Sequence, residues 1–439
     1  MDFSTKAKEA LSNLVVDEIE RLVTAGEVVD LSSLENELRE FLKETGRQAY
    51  EKILEKEDEK LGKRVRCECG HEAHRISRRA AQFLSVFGWV NYRRSYYSCP
   101  VCGKKENRLD RIWKIHPGEV SPIMGRLLTI SGVEQAFGKA KKNIHEFLLV
   151  DVSDNTIRSI TQKVGEKQAE LEAEWIKESQ DETWLQKRDS EIKEESAIPE
   201  RLYGSIDGVQ TPIGNEWREL KVLSWYKRSS VYGQKEDRAQ EISYHCDIQK
   251  SEEFGKLLWA TGLRHFADKT KELIFINDGA AWIWNLVSYY YPKAIQIVDW
   301  YHATEYLTPI ASALFSLSEK KKEWLERLRA WLWDGDVERV ISECQLHLNG
   351  VAKEFAQKAI TYYTNNKERM RYDEYREKGY AIGSGTVESA CKQVATARLK
   401  ISGARWTLNG AVATAKARAA WLSGDIAFNA LTTANSTTF

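Results

Sequence analysis

Leu273-Ile274-Phe275-Ile276-Asn277-Asp278-Gly279 runs four apolar residues into a carboxylate and a glycine. Such a run, closed by turn residues, reads as a strand that ends on Asp278. Tyr203-Gly204-Ser205-Ile206-Asp207-Gly208 repeats the pattern earlier in the chain. A single Asp-Gly is common in turns; a strand running into Asp-Gly twice in one region is more specific. Around these stretches, residues 202–207, 218–226, 241–247, 273–278 and 294–300 read as strands, with helices at 251–266 and 280–291. Three strands followed by alternating helix and strand predict a mixed α/β sheet. Residues 303–378 are charged and helical, with Trp324, Leu325, Leu328, Trp331 and Leu332 at helical spacing. Residues 386–422 form an alanine-rich helical stretch broken near Ser402-Gly403, and a polar tail at 426–439 is expected to lack fixed structure.

A third acid, Glu388, follows Ala381-Ile382-Gly383-Ser384-Gly385-Thr386-Val387 at the start of that stretch. Carboxylates at strand ends, followed at once by glycine, project from a sheet rim and leave room for a ligand. Three of them converging would repel one another unless cations bind. Hard oxygen ligands suit Mg²⁺ or Mn²⁺, and two such ions about 3.5–4 Å apart suit in-line attack on phosphorus. Beyond Glu388 lie Lys392, Arg398, Lys400 and Arg405, a phosphate-tracking face or simply the cationic end of a helix dipole. Trp406, in the glycine-flanked break, is a candidate to stack on an unpaired base or to pack in the core.

The N-terminal third has a different character. Residues 1–60 follow a helical period with sixteen acids and nine bases, and Asp30 and Ser32 are cap candidates. Residues 61–113 carry twelve bases and four acids, with strands predicted at 83–87 and 90–97 around Gly88. Cys99-Pro100-Val101-Cys102-Gly103 is a zinc-knuckle sequence, and Cys67-Glu68-Cys69-Gly70 supplies a second pair about thirty residues upstream. The first pair is C-x-C where C-x-x-C is usual, and His71 and His74 stand near enough to replace one cysteine. A closed site of this kind is structural. Arg75, Arg78, Arg79, Arg93 and Arg94, interleaved with Tyr92, Tyr96 and Tyr97, suit phosphate contact and stacking, or a solvated face over a ribbon core. Residues 114–165 are helical, with Ser153 placed to cap a helix that could read a major groove. Residues 166–200 read as a charged helix exposing most of its surface, then a linker. Cys246, Cys344 and Cys391 have no partner at metal spacing and read as small buried groups.

The whole chain of 439 residues balances 65 Lys and Arg against 65 Asp and Glu, so local segregation of charge carries more meaning than the total. No apolar run is long enough for a membrane span. The acidic start is not a secretory signal. An odd count of seven cysteines without a secretory signal suits a reducing, cytoplasmic setting, where paired cysteines bind metal.

Over residues 60–425 these motifs resemble the DDE transposases of bacterial insertion sequences, in the Mutator-like superfamily and its Kra-type group. Ser205-Ile206-Asp207-Gly208, Asn277-Asp278-Gly279-Ala280 and Ile382-Gly383-Ser384-Gly385-Thr386-Val387-Glu388-Ser389 look like that family's three acidic motifs. Ile297-Val298-Asp299-Trp300-Tyr301-His302 is similar to its D/C-x-x-H signature, and Gly403-Ala404-Arg405-Trp406 to the segment after the glutamate. The resemblance implies a helical segment (1–60), a zinc-ribbon-like DNA-binding segment (61–113), a helix-turn-helix-like segment (114–165), a charged linker (166–200) and an RNase H-like α/β catalytic domain (201–425) with a helical insertion at 303–378. It further implies Asp207, Asp278 and Glu388 as catalytic ligands of two Mg²⁺ or Mn²⁺ ions, with Asp299 and His302 at the site edge. Asp299 is a rival for the second ligand. The expected substrates are double-stranded DNA ends and target, held by a homodimer that is nucleoid-associated when bound. A DNA-binding protein that keeps the fold without strand transfer, and a nuclease that only hydrolyses, are the alternatives.

Overall fold

The computed structural model describes residues 5–192, 198–229, 238–383, 390–424, 428, 429 and 432. It divides into two compact units, Met1–Thr161 with Asn429–Phe439, and Gln162–Phe428. Glu388 lies outside the described residues, as does nearly all of the polar tail. Among the described residues no helix is long and apolar enough to cross a membrane.

The first unit opens with helices α1 (Thr5–Thr24) and α2 (Leu31–Lys60). Asp30 caps α2 by accepting from the Ser33 amide, and the Ser33 hydroxyl answers the Asp30 amide. A four-stranded antiparallel sheet follows in chain order: β1 (Arg64–Arg66), β2 (Glu72–Ser85), β3 (Gly88–Ser98) and β4 (Lys105–Asn107). The β2–β3 hairpin is longer than its aromatic residues predict, because the basic stretch 72–82 is also strand. Fully buried Asp58 of α2 accepts from the Ser95 amide at 2.7 Å and hydroxyl at 2.8 Å, and pairs with Arg78 at 3.2 Å. That carboxylate ties α2 to the hairpin. After α3 (Arg108–Trp113) come α4 (Pro122–Glu134), α5 (Phe137–Leu148) and α6 (Asp154–Glu178), whose start is capped by Ser153 as expected. Leu84, Met124, Leu128, Ile144 and Ile157 share one core there.

The second unit starts within α6 and continues with α7 (Glu182–Glu191). Its sheet holds β5 (Arg201–Ile213), β6 (Glu216–Ser229), β7 (Arg238–Asp247), β8 (Glu272–Asn277) and β9 (Ile295–Val298), in the order β7-β6-β5-β8-β9. The first three are antiparallel; β5, β8 and β9 run parallel. Between β7 and β8 lies α8 (Ser251–Arg264), and between β8 and β9 lies α9 (Ala281–Tyr290). The apolar runs of the parallel strands bury Ile274, Phe275, Ile276, Ile297 and Val298. The helical block is α10 (Trp300–Glu305), α11 (Leu307–Leu314), α12 (Ser318–Trp333), α13 (Val337–Gln345), α14 (Lys353–Asn366) and α15 (Tyr372–Glu377). Trp324, Leu325, Leu328 and Leu332 of α12 join the sheet's core cluster. A π-helical turn, Lys392–Thr396, runs into Ala397–Leu399; after the break at Gly403 comes α16 (Leu408–Leu422).

The charged stretch after 166 is not wholly solvated. Glu172 of α6 is buried and pairs with Lys416 of α16 at 2.5 Å and with His245 of β7 at 2.8 Å. Lys416 also meets Asp247 at 2.9 Å and donates to the Cys246 carbonyl at 2.8 Å. Burial works against ionising Glu172, but the charge of Lys416 and the hydrogen bond from His245 hold its carboxyl down at about 2.

Candidate functional site

The last paired residues of β5 and β8 are Gly204 and Phe275, and Asp207 and Asp278 each stand three residues further on. The last pair of β8 and β9 is Asn277 with Val298, and Asp278 and Asp299 follow at once. The register therefore sets Asp207, Asp278 and Asp299 in one row across three parallel strands, at the carboxyl end of β8 and β9. The crevice beyond such strand ends is where open α/β sheets bind ligands. Asp207 does not end its strand, as the sequence suggests; β5 continues to Ile213 in a hairpin with β6. What stops near Asp207 is the pairing with β8. Gly208, the glycine after Asp207, and Pro212 are both paired with β6, opposite Lys221 and Trp217.

Where that ladder stops, a side chain takes over. The Ile206 amide donates to Asn277 Oδ1 at 2.7 Å, between the two residues that precede the aspartates. The Asn277 carbonyl accepts from the Asp299 amide at 2.8 Å. Asn277 is fully buried, and its Nδ2 has no partner among the described residues. It is thus a strut between the strand ends, and the sequence reading gave it no role.

The three aspartates differ in their surroundings. Burial pushes the Asp207 carboxyl up from its ordinary range, and the charge of Asp278 adds to this; the Cys391 thiol, the Gly208 amide and His302 pull the other way. Asp207 and Asp278 therefore feel each other, as two carboxylates of one site must. Asp278 is half-buried; its Oδ1 accepts from the Ala280 amide at 2.9 Å and its carbonyl from the Tyr362 hydroxyl at 2.8 Å. Gly279 has φ +99°, and a Cβ there would lie 2.7 Å from the Tyr362 ring, so the turn after Asp278 requires glycine. Asp299 is buried and caps α10 by accepting from the His302 amide at 2.9 Å. His302 is partly exposed and lies 3.4 Å from Glu305.

Both flanks of the segment that holds Glu388 meet this row. The Ile382 carbonyl accepts from the Trp300 amide at 2.9 Å, next to Asp299. Cys391, read from sequence as an inert buried group, bonds Asp207. Cys246 and Cys344 are buried as expected.

The basic residues sort by exposure. Lys392, Lys400 and Arg405 are exposed; Lys400 lies 5.9 Å from the exposed Trp217 ring. Arg398 and Trp406 are buried instead, the guanidinium 5.0 Å from the indole, whose Nε1 donates to the Leu399 carbonyl at 3.0 Å. In the first unit Arg78 and Arg94 are engaged with Asp58 and Asp110. Arg79 and Arg93 are exposed, Arg79 over the Tyr96 ring at 3.6 Å, and Arg75 is half-buried near Ser95. Tyr92 and Tyr97 are ribbon core.

Sulfur atoms of Cys67, Cys69, Cys99 and Cys102 lie within 4.8 Å of one another, so the cluster could hold a structural metal such as zinc. Cys67 to Cys102 and Cys69 to Cys99 are each 3.6 Å, close to the edge of a tetrahedron with a Zn–S bond of about 2.3 Å. Tight turns at Gly70 and Gly103 shape both knuckles, through bonds to the Cys67 and Cys99 carbonyls. His71 and His74 are exposed, and four sulfurs form the cluster without them. The Cys102 and Val101 amides help bring the Cys99 thiol down to about 6. The Cys69 thiol, although the His71 amide pulls it down, is pushed up to about 12 by its sulfur neighbours and by desolvation. A metal ion binds thiolates, so one held here would draw the Cys69 thiol to its ionised form.

Residues 263–430 match the model of an uncharacterised protein family, UPF0236, which spans Asp278, Asp299 and the Glu388 segment but not Asp207. No curated protein matches the chain.

Proposed function

We propose that the protein is a DDE-type DNA transposase whose second unit is an RNase H-like catalytic domain. The observation that carries this is the register row that brings Asp207 and Asp278 together at the divergence of β5 and β8. The succession of three strands, helix, strand, helix, strand is compatible with that fold class, and the helices over 300–377 lie in the stretch where the family resemblance puts an insertion. Glu388 is the third ligand in this reading. It belongs to the segment between Ile382, bonded beside Asp299, and Cys391, bonded to Asp207.

Two Mg²⁺ or Mn²⁺ ions on these carboxylates would activate the attacking oxygen and stabilise the leaving one. The residues fit such ions, because Asp207 and Asp278 repel each other in a half-buried row and cations offset that repulsion. Asn277 fixes the spacing of the two strand ends. Water cuts a strand at the element's end, and the freed 3′ hydroxyl attacks a target phosphodiester. No Tyr or Ser nucleophile is required. Exposed Arg79, Arg93, Lys392, Lys400 and Arg405 hold phosphates, so binding weakens steeply with salt. Zinc on the four cysteines orders the ribbon that carries the first two of these. Holding two element ends together calls for a homodimer.

The test is to incubate the protein with Mg²⁺, labelled element-end DNA and a target plasmid. Joined products that vanish in Asp207→Ala, Asp278→Ala and Glu388→Ala, with DNA binding retained, support the transposase. Cleavage without joining points to a nuclease, and binding alone to a DNA-binding regulator.

A further inference from the structure

Resting on that reading, we propose that Lys221, gripped by Glu219 and Trp282, is a positioning residue that sets the spacing of Asp207 and Asp278. Lys221 lies in β6, opposite Gly208 of β5, the residue after Asp207. It is 5% exposed, pairs with Glu219, and places its ammonium 4.9 Å from the centre of the Trp282 ring in α9. A buried lysine is costly unless a carboxylate or an aromatic face receives it, and here both do. The chain thus joins β6 to α9 through one cation, close to where β5 and β8 part.

This clasp lies on the side of the sheet away from the aspartates. Alternate residues of a strand face opposite sides. Gly204 faces the layer of α8, because a Cβ there would meet Trp225, whose indole donates to Thr261 of α8 at 2.9 Å. Gly208 shares that side, and Asp207 takes the other. The Glu219 carboxylate lies over Gly208, and a Cβ at Gly208 would collide with it. Glycine after Asp207 therefore leaves the room that the ion pair fills. No turn requires it, since β5 runs on to Ile213.

Both carboxylates are oriented by an amide next to the clasp. The Gly208 amide donates to Asp207 Oδ1 at 2.6 Å, and the Ala280 amide to Asp278 Oδ1 at 2.9 Å. Gly208 lies under Glu219 and opposite Lys221, and Ala280 is the N-cap of α9, two residues before Trp282. Asn277 ties β8 to β5 just before the aspartate row, through the Ile206 amide. Lys221 ties β6 to α9 just after it. Without the clasp the first turn of α9 is free to shift against β5, and Asp278 moves with it.

The test uses the full chain and needs no DNA. Lys221→Met keeps the stem and removes the charge, and Trp282→Leu removes the ring. Hydrogen exchange in metal-free protein follows the Gly208 and Ala280 amides, with Phe275 in the paired part of β8 as reference. A Mn²⁺ titration read by paramagnetic resonance follows affinity at the row, taken as the binding lost in Asp207→Ala. We expect exchange at both amides to quicken about tenfold in each variant with Phe275 unchanged, and Mn²⁺ affinity to fall about tenfold. A general loss of stability would quicken Phe275 as well, so the reference separates positioning from mere support. The double variant should lose no more than either single one, and additive losses overturn the clasp. Should Lys221→Met fail to fold, Trp282→Leu decides. Unchanged exchange at the two amides overturns the proposal. So does unchanged Mn²⁺ affinity in a chain that binds Mn²⁺ at the row; in both cases Mg²⁺-dependent cleavage lost in Asp207→Ala leaves the catalytic reading standing. Quickened exchange in a chain that binds no Mn²⁺ there keeps the clasp and removes the catalytic reading.

Discussion

Replacing Asn277 by Leu separates stability from catalysis. The side chains are similar in volume, so the core around β8 is neither emptied nor overfilled. The buried Ile206 amide loses its acceptor, at a cost of about 1–3 kcal/mol. The same change removes Nδ2, a buried group with no partner among the described residues, and so returns a comparable desolvation penalty. The two largely cancel, and the net loss should be about 1 kcal/mol or less. Catalysis has no such compensation. The tie between β5 and β8 at the aspartate row is gone, and a misplacement near 1 Å costs about a hundredfold in rate. Asn277→Asp, which keeps the acceptor, should recover part of the activity. Urea unfolding and Mg²⁺-dependent DNA cleavage measure the two effects. Cleavage by Asn277→Leu within about threefold of wild type would refute the strut, because a group that positions the row cannot be lost so cheaply.

Asp299→Asn should lower stability by about 1 kcal/mol or less through a weaker cap on α10, and should leave cleavage measurable, whereas Asp278→Asn should abolish it; the reverse order would make Asp299 the ligand. Glu172→Gln leaves buried Lys416 with Asp247 as its one remaining carboxylate among the described residues and should cost about 2 kcal/mol at pH 7 by urea unfolding. The Glu172 carboxyl sits lower in the folded chain than its ordinary 4.5, so its stabilisation is complete above that pH and fades as pH falls toward about 2. The wild type's advantage over Glu172→Gln should shrink accordingly in acid, and an advantage that grows there would contradict the ion pair. Purified protein should carry one structural zinc per chain, and a chelator or Cys99→Ser should melt the ribbon early. Metal analysis showing no zinc, with melting indifferent to chelator, would count against that site.

The place of Asp278 at a strand end was legible because an apolar run closes there on Asp-Gly, whereas Asp207, read the same way, lies inside β5. Their alignment was not, since it depends on β5 pairing in parallel with β8 after three intervening elements. Asn277 offered one sequence signal: a polar residue that continues an entirely apolar strand must find a buried partner. The role of Cys391 had no such signal, because it comes from tertiary proximity to Asp207. The stretch 72–82 escaped recognition as strand because its arginines and serines show no two-residue alternation. Composition also could not separate Arg79 and Arg93, which face solvent, from Arg78, Arg94 and Arg398, which are drawn into pairs or buried. An arginine's exposure is decided by where an acid such as Asp58 arrives from another element.

The central claim is a shared divalent site on carboxylates distant in the chain, and anomalous diffraction from crystals grown with Mn²⁺ tests it most directly. The account predicts two manganese peaks about 3.5–4 Å apart, bridged by Asp207 and Asp278 and closed by Glu388. Manganese absent from that row while Asp207 and Asp278 are both ordered, or bound there without Glu388 in reach, would contradict it.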